Sequence, residues 1–316
     1  MAESNIILSD KSSVNVLNSE YHDLVARALR NTLSTEIAQS TFAQIVDGLP
    51  LLSVLEDTHA GLDPEPEPDH PLFTHESLCP GALEKTREIL RIFDIENLKF
   101  DTSLLHALQA HQTGSDSFNT RLIEFIAVAA HEVAKYLYKL DSKGHQDDDL
   151  PPTFFKHAYY FDYEQYPDGV VDMVGYWAES RILGGVILFD RKTEPASDAV
   201  FIHPDREEAT YRICELTGEQ KTSLVRFLLA PLSENLRCPL PIASGAENTH
   251  RIDPEEPISW TGIYRDAWER ELHTEELGDG RGRDVWSKSS ELDWLTFEAW
   301  QEARARYNSR FERYSE

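Results

Sequence analysis

Residues 118–140 constrain the fold more than any other stretch of the chain. Leu122, Phe125, Ile126, Ala129, Val133, Tyr136, Leu137 and Leu140 recur at the 3.6-residue period of a helix. Ala127 and Val128 place apolar surface on the opposite side as well. A helix that is apolar around much of its girth must be covered on most sides, so the rest of the chain is expected to wrap it.

The candidates for that cover divide near Pro151-Pro152. On the N-terminal side, helices are expected over 20–33 (with Ser19 as cap), 35–47 (stopped by Gly48-Leu49-Pro50), 82–93 and 103–112. Residues 1–18 are polar and aperiodic, and a disordered N-terminus is expected there. On the C-terminal side, residues 154–216 are rich in aromatic and β-branched residues, which favour strands. Strands are expected near 157–163, 170–179, 182–190, 199–203 and 209–216, with Pro167-Asp168-Gly169 as a turn. Such short connections favour antiparallel neighbours. Gly184-Gly185 suggests a bulge or close packing against another backbone. Thr217 and Gln220 fit a capping box that opens a helix over 218–230. A long proline-containing loop over 231–258, a short helix within 260–270 and a final helix over 291–314 complete the reading. The fold class expected is α+β: an antiparallel β-meander of four to five strands covered by an N-terminal helical layer and C-terminal helices. Residues 19–316 are expected to form one domain, with its helical part at 19–150 and its sheet and last helices at 151–316.

Charge narrows the function. Fifty-six acidic residues face 30 Lys and Arg, a net charge of -26. Such a surface repels phosphate backbones and anionic headgroups, so neither nucleic acid nor membrane is expected as a partner. No stretch approaches the ~18 apolar residues of a membrane span, and the first twenty residues lack a signal-peptide pattern. Cys79, Cys214 and Cys238 are widely spaced without a CxxC pair, which argues against a disulfide framework or a zinc knuckle. A reducing, cytoplasmic location is expected. The run Asp63-Pro64-Glu65-Pro66-Glu67-Pro68-Asp69 should be extended and solvated; it reads as a linker or as a partner-docking segment.

The common catalytic signatures fail one by one. His131-Glu132 would begin HExxH, but position 135 is Lys. Neither GxGxxG, GxxxxGK[ST] nor GxSxG occurs, and no cofactor is expected. Gly280-Arg281-Gly282-Arg283 is read as an exposed hinge. What remains is a polar grouping inside the expected meander. Asp172 and Tyr176 fall on one face of the expected strand; Trp177 and Glu179 fall on the other. If the first face is concave, a desolvated Asp172 would have a raised pKa and act as a general acid or base, with Tyr176, His157 and His203 as partners. Tyr160, Asp162, Trp177 and Glu179 are candidate ligand-binding residues. A half-solvated sheet shows the same alternation with Asp172 and Tyr176 simply facing water. A metal set of His157, Asp162 and His203 has no spacing to enforce it, and no metal is expected.

The stretches His157-Ala158-Tyr159-Tyr160-Phe161-Asp162, Val174-Gly175-Tyr176-Trp177-Ala178-Glu179 and Gly184-Gly185-Val186-Ile187-Leu188-Phe189-Asp190-Arg191 resemble uncharacterised hypothetical proteins of filamentous fungi. The resemblance covers about the central quarter of the chain. It implies a eukaryotic cytosolic protein and brings no catalytic residue with it.

Two functions stay open at this point. The exclusions favour a non-catalytic interaction protein that engages a partner through its acidic surface or the 63–69 loop. The alternative is a small-molecule-binding protein or a cofactor-independent acid–base enzyme (a lyase, isomerase or cyclase) with a pocket on the sheet.

Overall fold

The computed structural model describes residues 10–59, 67–140, 145, 154–193, 197–231, 234, 236–254, 256, 258–270, 296–298, 300 and 301. In chain order the elements are β1 (Lys11–Ser12), α1 (Ser19–Leu33), α2 (Glu36–Asp47), α3 (Leu52–Glu56), α4 (Ala82–Ile92), β2 (Phe100–Asp101), α5 (Thr102–Ala110) and α6 (Asp116–Tyr138). They continue with α7 (Val170–Leu183), β3 (Val186–Asp190), β4 (Val200–His203), β5 (Ile213–Glu215), α8 (Gly218–Leu229), β6 (Arg251–Ile252), α9 (Ile258–Thr261) and β7 (Ile263–Tyr264).

Helix α6 is the centre of the molecule, with α1, α2, α5, α7 and α8 packed around it. Its start is fixed by Ser115, whose hydroxyl accepts the Phe118 N–H. Similar chemistry sets the other helix ends. Asn18 caps α1, one residue before the expected Ser19, and Thr35 caps α2. Gly48 closes α2 at φ +100°, a conformation only glycine adopts without strain. The capping box at α8 is formed in both directions: Thr217 Oγ1 accepts the Gln220 N–H at 3.2 Å, and Gln220 Oε1 accepts the Thr217 N–H at 2.8 Å.

The five-stranded sheet has the order β6-β5-β4-β3-β7, every pair antiparallel. Strands β3 to β5 lie within the expected meander; β6, from the expected 231–258 loop, pairs with β5, and β7, from the expected short helix at 260–270, pairs with the free edge of β3. Alternation along β3 assigns the faces. Ile187 and Phe189, with Val200, Ile202 and Cys214, join the large helical core. Val186 and Leu188, with Phe201, Ile213 and Ile263, pack against Tyr160, Tyr166, Met173 and Tyr176 in a second core. Each side chain buried in this way contributes about 1.5–3 kcal/mol. Among the described residues, no helix is long and apolar enough to cross a membrane.

Two expected strands are corrected. Residues 157–163 form turns with one isolated bridge, His157 to Tyr160. Residues 170–183 are helix α7, not a strand. The reason is burial: every residue from Asp172 to Leu183 is buried, so α7 has no solvent-facing stripe to reveal a helical period. Its Val, Tyr and Trp content mimics a strand, and packing against α6 and β3 overrides that propensity. Gly184 ends the helix at φ +103°, with Ile242 against it; a Cβ there would lie 2.1 Å from the Ile242 carbonyl oxygen. Gly185 lies against the β4 backbone, as close packing required.

Residues 10–12 are ordered by pairing, Lys11 with Asp101 and Ser12 with Phe100, and Val14 is fully buried. Residues 1–9, most of the 63–69 segment, the Gly280–Arg283 turn and most of the 291–314 helix lie outside the described residues.

Candidate functional site

Helices α6 and α7 meet along faces that carry several buried charged residues. On α6, His131 and Lys135 are one turn apart; on α7, Asp172, Tyr176 and Glu179 are spaced i, i+4, i+7 and share a face. Lys135 is only 4 % exposed, a burial that demands partners. Its Nζ lies 2.6 Å from Asp172 Oδ1, 2.6 Å from Asp168 Oδ2 and 3.0 Å from Glu132 Oε1. His131 Nε2 is 3.2 Å from the same Asp172 oxygen, and Asp172 Oδ2 accepts the Asp168 N–H at 2.7 Å. Both oxygens of Asp172 are therefore occupied.

The segment after β7 supplies the third wall. Arg265 Nη1 lies 2.5 Å from Glu179 Oε2 and its Nε 3.0 Å from Asp266 Oδ2. Tyr176 donates its hydroxyl to Asp266 Oδ2 at 3.1 Å, and the Arg265 guanidinium sits 5.2 Å from the Tyr176 ring centre. Glu179 is further held by the Ile187 N–H at 2.8 Å, which ties the network to the start of β3. His131 lies edge-on to Tyr176, ring centres 4.6 Å apart, with its Nδ1 3.8 Å from Glu179 Oε2. Gly175 makes room for that ring: a Cβ at this position would stand 2.5 Å from His131 Nε2.

Burial and neighbouring charges shift the ionisation of several of these groups. Burial disfavours ionisation of Asp172, but the His131 and Lys135 charges outweigh it and hold the carboxyl well below the usual range. Burial also works against charged His131, yet Asp172 and Glu179 raise its pKa above the ordinary histidine value. Lys135 is raised in the same way by Glu132 and Asp172. Burial drives Tyr176 far above the normal phenol range. Nearby Glu269 is different: burial, the largest influence, pushes it up to about 7.

Several expected site residues are thus together and others are not. Asp172 and Tyr176 line the cleft, but on a helix, so Glu179 joins their face instead of opposing it. Trp177 turns away into the helical core, 4.6 Å from the Phe155 ring. The expected raised pKa of Asp172 is corrected to a depressed one, because two cations adjoin it. His157, His203 and Tyr160 form a second, fully buried group, joined to the first where the Tyr160 ring packs 4.9 Å from that of Tyr176. His203 Nε2 faces the Tyr211 carbonyl at 3.0 Å and its Nδ1 faces the Tyr160 hydroxyl at 3.1 Å. His157 Nε2 faces the His203 carbonyl at 3.2 Å, and its Nδ1 accepts the Tyr159 N–H at 3.1 Å. Burial lowers the pKa of both histidines, so they are neutral and internally satisfied. Asp162 is exposed and takes no part in that group. His131, Lys135, Asp168, Arg265 and Asp266 were not anticipated as site residues. A lysine and a histidine four apart within an apolar helix were the available signal.

The network floors a cleft of about 390 Å³. Beyond the groups above, Lys11, Lys99, Asp101, Arg121, Glu124 and Arg191 line it. Arg121 and Arg191 both pair with the single carboxylate of Glu124 and lie over the Phe189 ring. Lys11 and Lys99 are exposed and form no ion pair among the described residues. Comparison of the chain with protein-family models, with curated proteins and with solved structures gives no match, so the residues themselves carry the functional argument.

Proposed function

We propose that the chain is a small-molecule-binding protein whose cleft between α6, α7 and the segment after β7 takes a small anionic ligand. One observation carries this reading: the lining escapes the acid excess of the chain. Six Lys and Arg (11, 99, 121, 135, 191, 265) meet six Asp and Glu (101, 124, 132, 168, 172, 266) there, against 30 and 56 overall. The surplus is local. Two guanidinium groups share Glu124, and Lys11 and Lys99 add ammonium groups that form no ion pair among the described residues. A carboxylate or phosphate would find charge-assisted donors at that end. The deep end, where both oxygens of Asp172 and of Glu179 are already engaged, serves as a rigid polar floor.

The same saturation speaks against Asp172 as a proton-transfer group, since a general base needs a lone pair facing substrate. Ligand binding therefore fits better than acid–base catalysis by this residue. The partner-engaging alternative rests on the acidic surface and on the 63–69 segment, of which residues 63–66 lie outside the described residues.

The test is a thermal-shift and calorimetric panel using inorganic phosphate, citrate and neutral sugars on the full chain. At least one anion should bind with one-to-one stoichiometry and raise Tm, and Arg191→Gln or the Lys11→Ala/Lys99→Ala pair should weaken it. Binding by neutral sugars alone, or anion binding indifferent to these substitutions, would overturn the reading.

A further inference from the structure

A second cluster lies away from the cleft, where α2 ends. Asp47 is the last residue of α2 and is 1 % exposed. A carboxylate is out of place there. The helix dipole is negative at this end, and a buried charge needs a counter-charge. Among the described residues no lysine or arginine pairs with Asp47, and its Oδ1 has no hydrogen-bond partner. What surrounds it instead is His75, Cys79 and His145; one ligand atom from each of the four residues lies within 4.8 Å of the others.

The hydrogen bonds fix how these groups face one another. His75 Nδ1 lies 3.0 Å from the Pro50 carbonyl, which only accepts, so Nδ1 carries the proton. In a neutral ring, Nε2 then presents a lone pair, and it points at Asp47 Oδ2 from 3.1 Å. Lone pair against carboxylate is repulsive unless a cation, H⁺ or metal, joins them. Cys79 Sγ and His145 Nε2 lie 3.1 Å apart, within hydrogen-bond reach of each other, beside this pair. The backbone is arranged around the same point. Cys79 N–H donates to Asp47 Oδ2 at 2.8 Å, and His145 N–H donates to the Asp47 carbonyl at 2.7 Å. Gly48 is what lets residue 145 in: a Cβ there would stand 2.2 Å from the His145 carbonyl oxygen.

We propose that Asp47, His75, Cys79 and His145 form a tetrahedral site for a divalent zinc-type ion. Metal–ligand bonds of about 2.0–2.3 Å imply ligand separations of roughly 3.3–3.8 Å, which the cluster reaches with small adjustments. Imidazole and thiolate donors select zinc over magnesium or calcium. Asp47 and thiolate Cys79 neutralise Zn²⁺ completely, which suits a half-buried position. Four protein ligands leave no open position, so the role is structural: the ion pins the end of α2, the 70–81 segment and residue 145 together. The Pro50 carbonyl on His75 is the usual outer partner that orients a metal-bound histidine. Binding transfers the Cys79 thiol proton to solvent as the sulfur–zinc bond forms.

Elemental analysis of the purified full chain, followed by chelation and titration with Co²⁺ under reducing conditions, tests this. The chain should carry close to one zinc per molecule, lose thermal stability on chelation and regain it with Zn²⁺. Co²⁺ should produce tetrahedral visible bands and a thiolate-to-cobalt charge-transfer band. Cys79→Ser should abolish that band and weaken Zn²⁺ by at least ~100-fold, more than loss of an outer partner costs; Cys238→Ser should leave both unchanged. Absence of a charge-transfer band in the wild-type chain, or equal loss in Cys79→Ser and Cys238→Ser, would overturn the proposal. The wild-type titration stands even if a variant fails to fold.

Discussion

Gly175→Ala separates two forces that act with opposite sign on α7. In an unconstrained helix, alanine is favoured over glycine by about 0.5–1 kcal/mol, so helix propensity alone predicts stabilisation. The structure predicts the reverse. A Cβ at 175 would lie 2.5 Å from His131 Nε2 and 2.6 Å from Cδ2 and Cε1. The ring cannot swing aside freely, because Asp172 holds Nε2 and Tyr176 packs edge-on against it. Overpacking of this kind costs about 1–3 kcal/mol. Loosening the buried His131–Asp172 contact adds to it, up to the ~3–5 kcal/mol of removing a partner outright. The expected net effect is destabilisation of about 1–3 kcal/mol, read as a lower urea midpoint at unchanged m. The cycle with His131→Ala isolates the cause: in that background the methyl group has space, and Gly175→Ala should become neutral or stabilising. A stabilising Gly175→Ala in the wild-type chain, or the same loss in both backgrounds, would refute the reasoning.

Two further outcomes follow from the buried charges. Glu269, raised by burial to about 7 from an ordinary 4.5, holds its proton more tightly folded than unfolded, so it lowers stability as pH rises from about 4.5 through 7; Glu269→Gln should remove a penalty on the order of 3 kcal/mol at about pH 8 and little at about pH 5. Urea midpoints at both pH values check this, and an equal shift at each would contradict it. Lys135→Met leaves Asp172, Asp168 and Glu132 without their shared cation and should cost about 3–5 kcal/mol; Lys135→Met/Asp172→Leu should recover part of that, and a double variant less stable than the single one would argue against the pairing.

The parts of the fold that were legible are those governed by local chemistry. The period of 118–140, the stop at Gly48 and the Thr217–Gln220 capping box are each readable within a few residues, and each is present. Helix α7 was not legible because burial from Asp172 to Leu183 removes the solvent-facing stripe that exposes a helical period, while Val170, Val171, Tyr176 and Trp177 score as strand. That one misreading explains the mixed result at the site. Asp172 and Tyr176 share a face in both readings, since residues four apart align on a strand and on a helix alike. Glu179 was set on the wrong side, because i+7 is odd in a strand and aligned in a helix. Arg265 and Asp266 reach the site across some ninety residues of chain, a contact no local pattern records. The Asp47 cluster had one readable fragment, His75-Glu76-Ser77-Leu78-Cys79; Asp47 and His145 lie 28 and 66 residues from their partners in it.

The account stands most directly on where an anion sits. A crystal structure of the chain with the tightest-binding anion of the panel should show it in the cleft, within hydrogen-bond reach of Arg121, Arg191, Lys11 or Lys99, with the His131–Asp172–Lys135 contacts intact beneath it. Density for that anion elsewhere on the molecule, with only water between α6, α7 and the segment after β7, would contradict it.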